Sequence, residues 1–142
     1  MARDRLHTLL RLRRMAVQDR IRDLAAAIRA EEQASLAQAA RNGAMARETM
    51  EARRLAEHDA ALAGFVPWRA RATQALLDAA AQVTHAGEAT HTARTLLGEA
   101  RGAMRAVELA LDRRKADADL AEQRSAQHAF DDATRRTAAA VR

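Results

Sequence analysis

The fold is decided by residues 76–111, LLDAAAQVTHAGEATHTARTLLGEARGAMRAVELAL, in which apolar and small residues recur every seven positions. A sustained heptad with mostly small residues in one of its two rows is typical of closely packed helices in a coiled coil. The same spacing continues to residue 128, so we predict one long seam along this helix. The first row comprises Leu76, Val83, Thr90, Leu97, Met104, Leu111, Ala118 and Ser125, and the second comprises Ala79, Ala86, Ala93, Ala100, Val107, Arg114, Ala121 and His128.

The composition of the whole chain agrees with long helices. The 142 residues include 39 Ala, 23 Arg and one Lys, but only five Gly, one Pro and no Cys. Alanine and arginine are strong helix formers, and β-branched residues, which sheets favour, are scarce. With 2% aromatic residues the chain lacks the bulk to fill a globular core. We therefore expect an all-α protein, and the lack of Cys excludes a disulfide scaffold and thiolate metal sites.

The strongest signal for a break between helices is the segment Gly64-Phe65-Val66-Pro67. Glycine suits the position just after a helix end, and proline suits the first turn of the next helix. We predict a first helix over about 3–63, a hinge at 64–66 and a second helix over about 67–139. A short joint between two long helices makes them antiparallel neighbours, so residues 1–142 are expected to form a single coiled-coil hairpin.

The first helix carries a matching apolar pattern in Val17, Ile21, Leu24 and Ile28, spaced by four, three and four residues. A turn centred on the hinge predicts which positions of the two helices face each other. Leu55 is then expected to face Leu76, and near the open end Leu6 is expected to meet Ser125.

The sequence offers little that resembles a catalytic or metal site. None of its five histidines is paired at the i, i+3 or i, i+4 spacing that places two ligands on one helix face. Adjacent carboxylates such as Glu31-Glu32 point in different directions on a helix, and no glycine-rich phosphate loop or activated nucleophile is present. Membrane-spanning and secretory apolar runs are absent as well. We expect a cytoplasmic protein that is not an enzyme and binds no cofactor or metal.

Charge is concentrated at the start of the first helix. Residues 1–30 hold eight arginines and three aspartates, whereas the acidic and basic groups of residues 31–142 balance. One interpretation is that the aliphatic stems of these arginines cover apolar surface around residues 6–12. The other is an anionic partner that contacts this end of the hairpin, and its candidate contacts are Arg3, Arg5, Arg11, Arg13 and Arg14.

Three features of the chain resemble the FliJ family, the small coiled-coil proteins of bacterial flagellar protein export, which are similar to the YscO-type proteins of virulence secretion. Trp68 opens the second helix just after the hinge. The block Leu120-Ala121-Glu122-Gln123-Arg124, followed by Gln127, an acidic pair and an arginine, resembles the C-terminal motif of that family. Total length and the two-helix layout agree too, although His128 stands where the family has a lysine.

The resemblance implies a function and two binding surfaces. Such proteins form a central stalk whose open end inserts into the ring of the hexameric export ATPase, and the hinge side of the second helix contacts the export gate at the inner face of the cell membrane. Escort of substrate chaperones is a further activity that the resemblance implies. The ring-facing residues would be Arg3, Arg5, Arg11, Arg13, Arg14, Arg124, Gln127, Asp131, Asp132 and Arg135, and the gate-facing residues would be Trp68, Leu76, Leu77, Ala80 and Val83.

Two other functions fit parts of the sequence. The excess of arginine allows a basic helical protein that binds nucleic acid, although only three aromatic side chains could stack on bases. The heptads also suit a coiled-coil adaptor with an unrelated partner, or an N-terminal helix that lies on anionic lipid.

Overall fold

The protein folds as two long α-helices that pack against each other as a hairpin, which confirms the predicted all-α class. In the computed structural model, the structure describes residues 2–55 and 59–140, and the side chains of residues 5–55 and 63–136. Helix α1 spans Ala2–Arg54, and helix α2 spans Asp59–Ala140. Within these described ranges there is no β-strand.

The turn lies closer to the N-terminus than the sequence predicts, so the predicted bounds 3–63, 64–66 and 67–139 are wrong at the hinge. Leu55 leaves α1 in a turn in which its N–H donates to the carbonyl of Glu51 at 3.1 Å. The predicted helix 1 includes residues 56–58, which lie outside the described residues. The residue types at the true boundary are favourable, because Arg53 and Arg54 in the last turn of α1 complement the negative end of its dipole and Asp59 begins α2.

The Gly64-Phe65-Val66-Pro67 segment is helical and lies in the early turns of α2. Gly64 does not take the left-handed conformation of a helix end, since no described glycine has a positive φ. Pro67 lacks the N–H that would bond to the carbonyl of Ala63. The helix continues through this site because the surrounding residues 60–63 and 68–72 are rich in alanine and arginine, whose helix propensity offsets a single proline.

The hairpin divides into two compact units, one formed by residues 17–99 and the other by residues 1–16 with 100–142. The first unit contains the turn, and its core comprises Val17, Ala79, Thr90, Ala93 and Leu97. Leu10 and Val107 are the buried apolar residues of the second unit. These buried α2 residues all belong to the predicted heptad rows.

The predicted seam of α2 is confirmed between residues 76 and 111, where every row position is buried or half-buried. From Arg114 onward the row positions are exposed, so the predicted continuation through Ala118, Ser125 and His128 is wrong. Beyond residue 111 the rows hold alanine, serine and polar residues, which offer too little apolar surface to sustain burial.

The shifted turn also changes which residues face each other. In the 17–99 unit the Arg41 guanidinium donates to the carbonyl of Ala75 at 3.1 Å, and a Cβ on Gly87 would lie 3.6 Å from Oε1 of Glu31. Leu76 lies about 25 Å along α2 from its first residue at 1.5 Å per residue, so Leu55 at the turn does not face it. The predicted pairing of Leu55 with Leu76 is wrong because the prediction centred the turn on the hinge at 64–66.

Candidate partner-binding surfaces

The first described turns of α1 present a cationic surface. Arg5, Arg11, Arg13 and Arg14 are all exposed, and the side chain of Arg3 lies outside the described residues. Arg14 is 3.9 Å from Oε1 of Glu108 on α2, and its side chain is 63% exposed. An ion pair this exposed contributes little to stability. These arginines therefore remain accessible to an anionic partner.

The other half of the predicted ring-facing set lies near the end of α2. Arg124, Gln127, Asp131, Asp132 and Arg135 are exposed, as are all described side chains from 112 to 136. Ala2 lies twelve residues before Arg14, and Leu120 lies twelve residues after Glu108. The two are therefore level in the antiparallel pair. The structure therefore brings the α1 arginines beside residues 108–120. The predicted ring-facing residues of α2, from Arg124 to Arg135, lie further along that helix.

An open groove of about 750 Å³ lies between the two helices at this end. His7 of α1 lines the groove together with residues 111–119 of α2, so the pairing of the two helices differs from the predicted pairing at this end too. Leu6 is therefore not level with Ser125. Both signs of charge line the groove, so it does not select an anion by charge. Sequence patterns missed it because it depends on the observed pairing of the helices. The lining residues are His7, Leu111, Asp112, Arg114, Lys115, Ala118 and Asp119.

The predicted gate-facing residues lie together on the early part of α2. Leu77 is 60% exposed, whereas Trp68, Leu76, Ala80 and Val83 are half-buried. Leu76 and Val83 are half-buried because they also belong to the seam. Leu77 is therefore the most accessible apolar member of the set.

The Trp68 ring stacks on Phe65, with the ring centroids 5.4 Å apart and the ring planes 25° from parallel. An adjacent shallow groove of about 380 Å³ is lined by Phe65, Val66, Arg69, Ala70, Thr73 and Gln74. Val66 is 70% exposed. Sequence reasoning missed Phe65 and Val66 because it assigned them to the hinge.

Val66, Ala70, Thr73 and Leu77 follow one another at i, i+4, i+7 and i+11 and therefore share one face of α2. This spacing was readable from the sequence once residues 64–67 are taken as helical. Phe65 and Arg69 border this stripe in the shallow groove, whereas Trp68 lies on the other side of α2, with the seam residues Leu76 and Val83.

Other kinds of site find no support in the part of the chain that the structure describes. Its His, Asp and Glu residues form no group of three that could hold a metal ion. None of the described helical segments is long and apolar enough to cross a membrane.

Comparison of the chain with protein-family models, with curated proteins and with solved structures returns no match.

Proposed function

We propose that this protein is a coiled-coil stalk of a bacterial flagellar export apparatus, which binds the ring of the hexameric export ATPase and links it to the export gate. It would act at the cytoplasmic face of the cell membrane as a peripheral component and could also escort substrate chaperones. Two features support this function: the helical hairpin, and the resemblance of the 120–135 block to FliJ-type proteins. The Trp68 part of the resemblance is weakened, because Trp68 is the tenth residue of α2 and does not open it.

The observation that carries the proposal is the exposed arginine surface on the first turns of α1. Arg5, Arg11 and Arg13 make no ion pair with any side chain in the described part of the chain, and Arg14 shares Glu108 with Arg105. Arg5 lies in the first turn of α1, where positive charge opposes the helix dipole. A set of exposed arginines that makes so few ion pairs within the described fold is readily explained by an anionic partner.

The second surface of the proposed stalk is the uncharged stripe around Leu77. Exposed apolar side chains such as Val66 and Leu77, with Phe65 beside Val66, suit the core of a protein interface, where charged residues are depleted. In the proposed function this surface would contact the cytoplasmic part of the export gate.

The test is a triple charge reversal, R11E/R13E/R14E, assayed for binding to the purified export ATPase and for stimulation of its activity. Opposite charges across an interface mainly raise the association rate, so we expect slower association for the variant and a steep salt dependence for the unmodified protein. The helical content should persist, because surface substitutions away from packed positions usually change stability by about 0.5 kcal/mol or less each.

The matched control is R29E/R47E/R53E, which makes the same change in net charge at three exposed arginines elsewhere on α1. This control should bind and stimulate the ATPase nearly as the unmodified protein does. Equal losses for the two variants would mean that only net charge matters, and normal stimulation by R11E/R13E/R14E would contradict the proposed ring-binding surface.

A further inference from the structure

Helix α2 carries a second heptad stripe, which from residue 109 to residue 120 lies on the face that points away from α1. Leu120 follows the half-buried Leu111 by nine residues, and Ala116 follows the buried Val107 by nine. Nine residues make about two and a half helical turns, so Leu120 and Ala116 lie opposite the face that packs on α1. Exposed residues continue along this outer face, and the stripe comprises Leu109, Arg113, Ala116, Leu120, Gln123, Gln127 and Phe130, of which Arg113 is charged.

The exposure of this outer stripe is high for its large apolar members. Leu109 is 42% exposed, Leu120 is 49% exposed and Phe130 is 71% exposed. Successive members from Ala116 onward are separated by four, three, four and three residues, which is the spacing of a coiled-coil seam. The outer stripe is therefore an unpartnered second seam on the same helix.

The charges beside the outer stripe indicate which partner fits it. Asp117 directly follows Ala116, and Arg124 directly follows Gln123, so both lie on the same edge of the stripe, seven residues apart. Both are exposed, and neither is ion-paired with another described residue. A two-fold axis between them places the Asp117 of one chain opposite the Arg124 of another, and the reverse pair forms at the same time.

We propose that two copies of this chain associate antiparallel along the outer stripe. In this arrangement Leu120 packs beside Gln123 of the other copy, and Ala116 packs beside Gln127. Phe130 faces Arg113 of the other copy, and its ring can receive the guanidinium in a cation–π contact. On the second edge of the stripe, Asp119 faces Ala126, so no like charges meet.

A parallel pair of copies is less favourable. In a parallel coiled coil the edge residue of one helix faces the residue five positions further on in the other. Asp112 of each copy would then face Asp117 of its neighbour, and this repulsion between carboxylates offsets the attraction that the same alignment creates between Asp119 and Arg124. The antiparallel pair keeps both Asp117–Arg124 attractions and avoids this repulsion.

This association would compete with the proposed ATPase contact, because Arg124 and Gln127 belong to both surfaces. The inference does not depend on that function, since the purified chain alone tests it. Four apolar side chains per copy make a small interface, and we expect a weak dimer that forms at high protein concentration.

The first experiment is sedimentation equilibrium of the 142-residue chain between micromolar and millimolar concentrations. The weight-average mass should rise from 15.5 kDa towards twice that value. L120E/F130A should weaken the dimer at least about tenfold, because it places a charge at one apolar contact and removes the aromatic ring that faces Arg113 at another, while circular dichroism confirms that the helices persist. A mass that stays at 15.5 kDa across this range would overturn the proposal.

A charge swap then tests the antiparallel pairing itself. D117R places two arginines opposite each other, and R124D places two aspartates opposite each other, so each single variant should weaken the dimer. The double variant D117R/R124D restores both attractions and should restore the affinity of the unmodified chain. Failure of the double variant to recover would contradict the proposed pairing.

Cross-linking gives an independent measure of direction, since the chain has no native cysteine. A mixture of A116C and Q127C chains should form a mixed disulfide dimer, because these positions face each other in the antiparallel pair. A116C alone should not link, because its two copies would lie about 16 Å apart along the axis. Efficient linking of A116C to itself would indicate a parallel pair and overturn the proposal.

Discussion

Thr90 is the buried polar residue at the centre of the seam. It is 1% exposed, and its Oγ1 has no hydrogen-bond partner. Other threonines of α2 avoid this cost, since Thr84, Thr92 and Thr95 each donate to the carbonyl four residues earlier. A buried hydroxyl without a partner costs about 1–3 kcal/mol. At the scale of single residues, Thr90 is therefore a local weakness in an otherwise apolar row.

T90V should raise the free energy of unfolding by about 1 kcal/mol, because valine has nearly the same shape and removes the unpaired hydroxyl. Chemical denaturation followed by circular dichroism measures the change. The control is T84V, at an exposed threonine whose change should stay within about 0.5 kcal/mol. Destabilisation by T90V would show that the hydroxyl does have a partner in the folded protein.

At the scale of the element, α2 is continuous from Asp59 to Ala140 although it contains Gly98 and Gly102. A Cβ built on either glycine meets no atom within 4 Å. Glycine inside a helix costs about 0.5–1 kcal/mol relative to alanine because it loses more backbone entropy on folding. These two positions therefore lower the stability of α2 without providing space for a neighbour.

G98A/G102A should raise the free energy of unfolding by about 1–2 kcal/mol in total, as two additive helix-propensity gains. The reverse substitution A89G, at an exposed alanine of the same helix, should lower it by about 0.5–1 kcal/mol. Both are measured by thermal unfolding. No gain from G98A/G102A would mean that an unseen partner or a close contact requires the absence of a side chain there.

Pro67 illustrates why local signals misplace an element boundary. Glycine and proline within four residues are strong punctuation in a sequence, yet both lie inside α2. Their local cost is of the order of a few kcal/mol, and it competes with the propensity of many alanines and the burial of a long seam. The boundary is set by the sum over the whole element and not by the most conspicuous tetrapeptide.

At the scale of the whole molecule, the pairing of the two helices within the 17–99 unit follows from two contacts. In an antiparallel pair, Gln38 lies three residues before Arg41 and is therefore level with Asp78, three residues after Ala75. Counted from the Glu31–Gly87 contact, Gln38 lies seven residues after Glu31 and is level with Ala80, seven residues before Gly87. Gln38 therefore lies beside Ala79, which is buried in the seam.

Q38C/A79C should form a disulfide within one chain, because facing seam positions bring their Cα atoms close to the 4.4–6.8 Å range of natural disulfides. The matched control is Q38C/A93C, which the hinge at 64–66 would have brought together. Non-reducing electrophoresis and mass spectrometry measure the link. Preferential linking of the second pair would place the turn back at Gly64.

The sequence by itself determined the fold class, the hairpin topology and the seam of α2 from Leu76 to Leu111, because these follow from composition and from a heptad that any packed partner must cover. It also identified the accessible arginines of α1 and Leu77 on α2. The tertiary structure alone decided where the chain turns, which positions face each other and where the seam ends. These depend on burial summed over two helices, and residues close in space at the open end are separated by about 100 positions in the chain. For the same reason only the structure showed that the ring-facing residues of α1 and of α2 lie apart. It also revealed the outer stripe of α2, because a second apolar face can be recognised only once the face that packs on α1 is known.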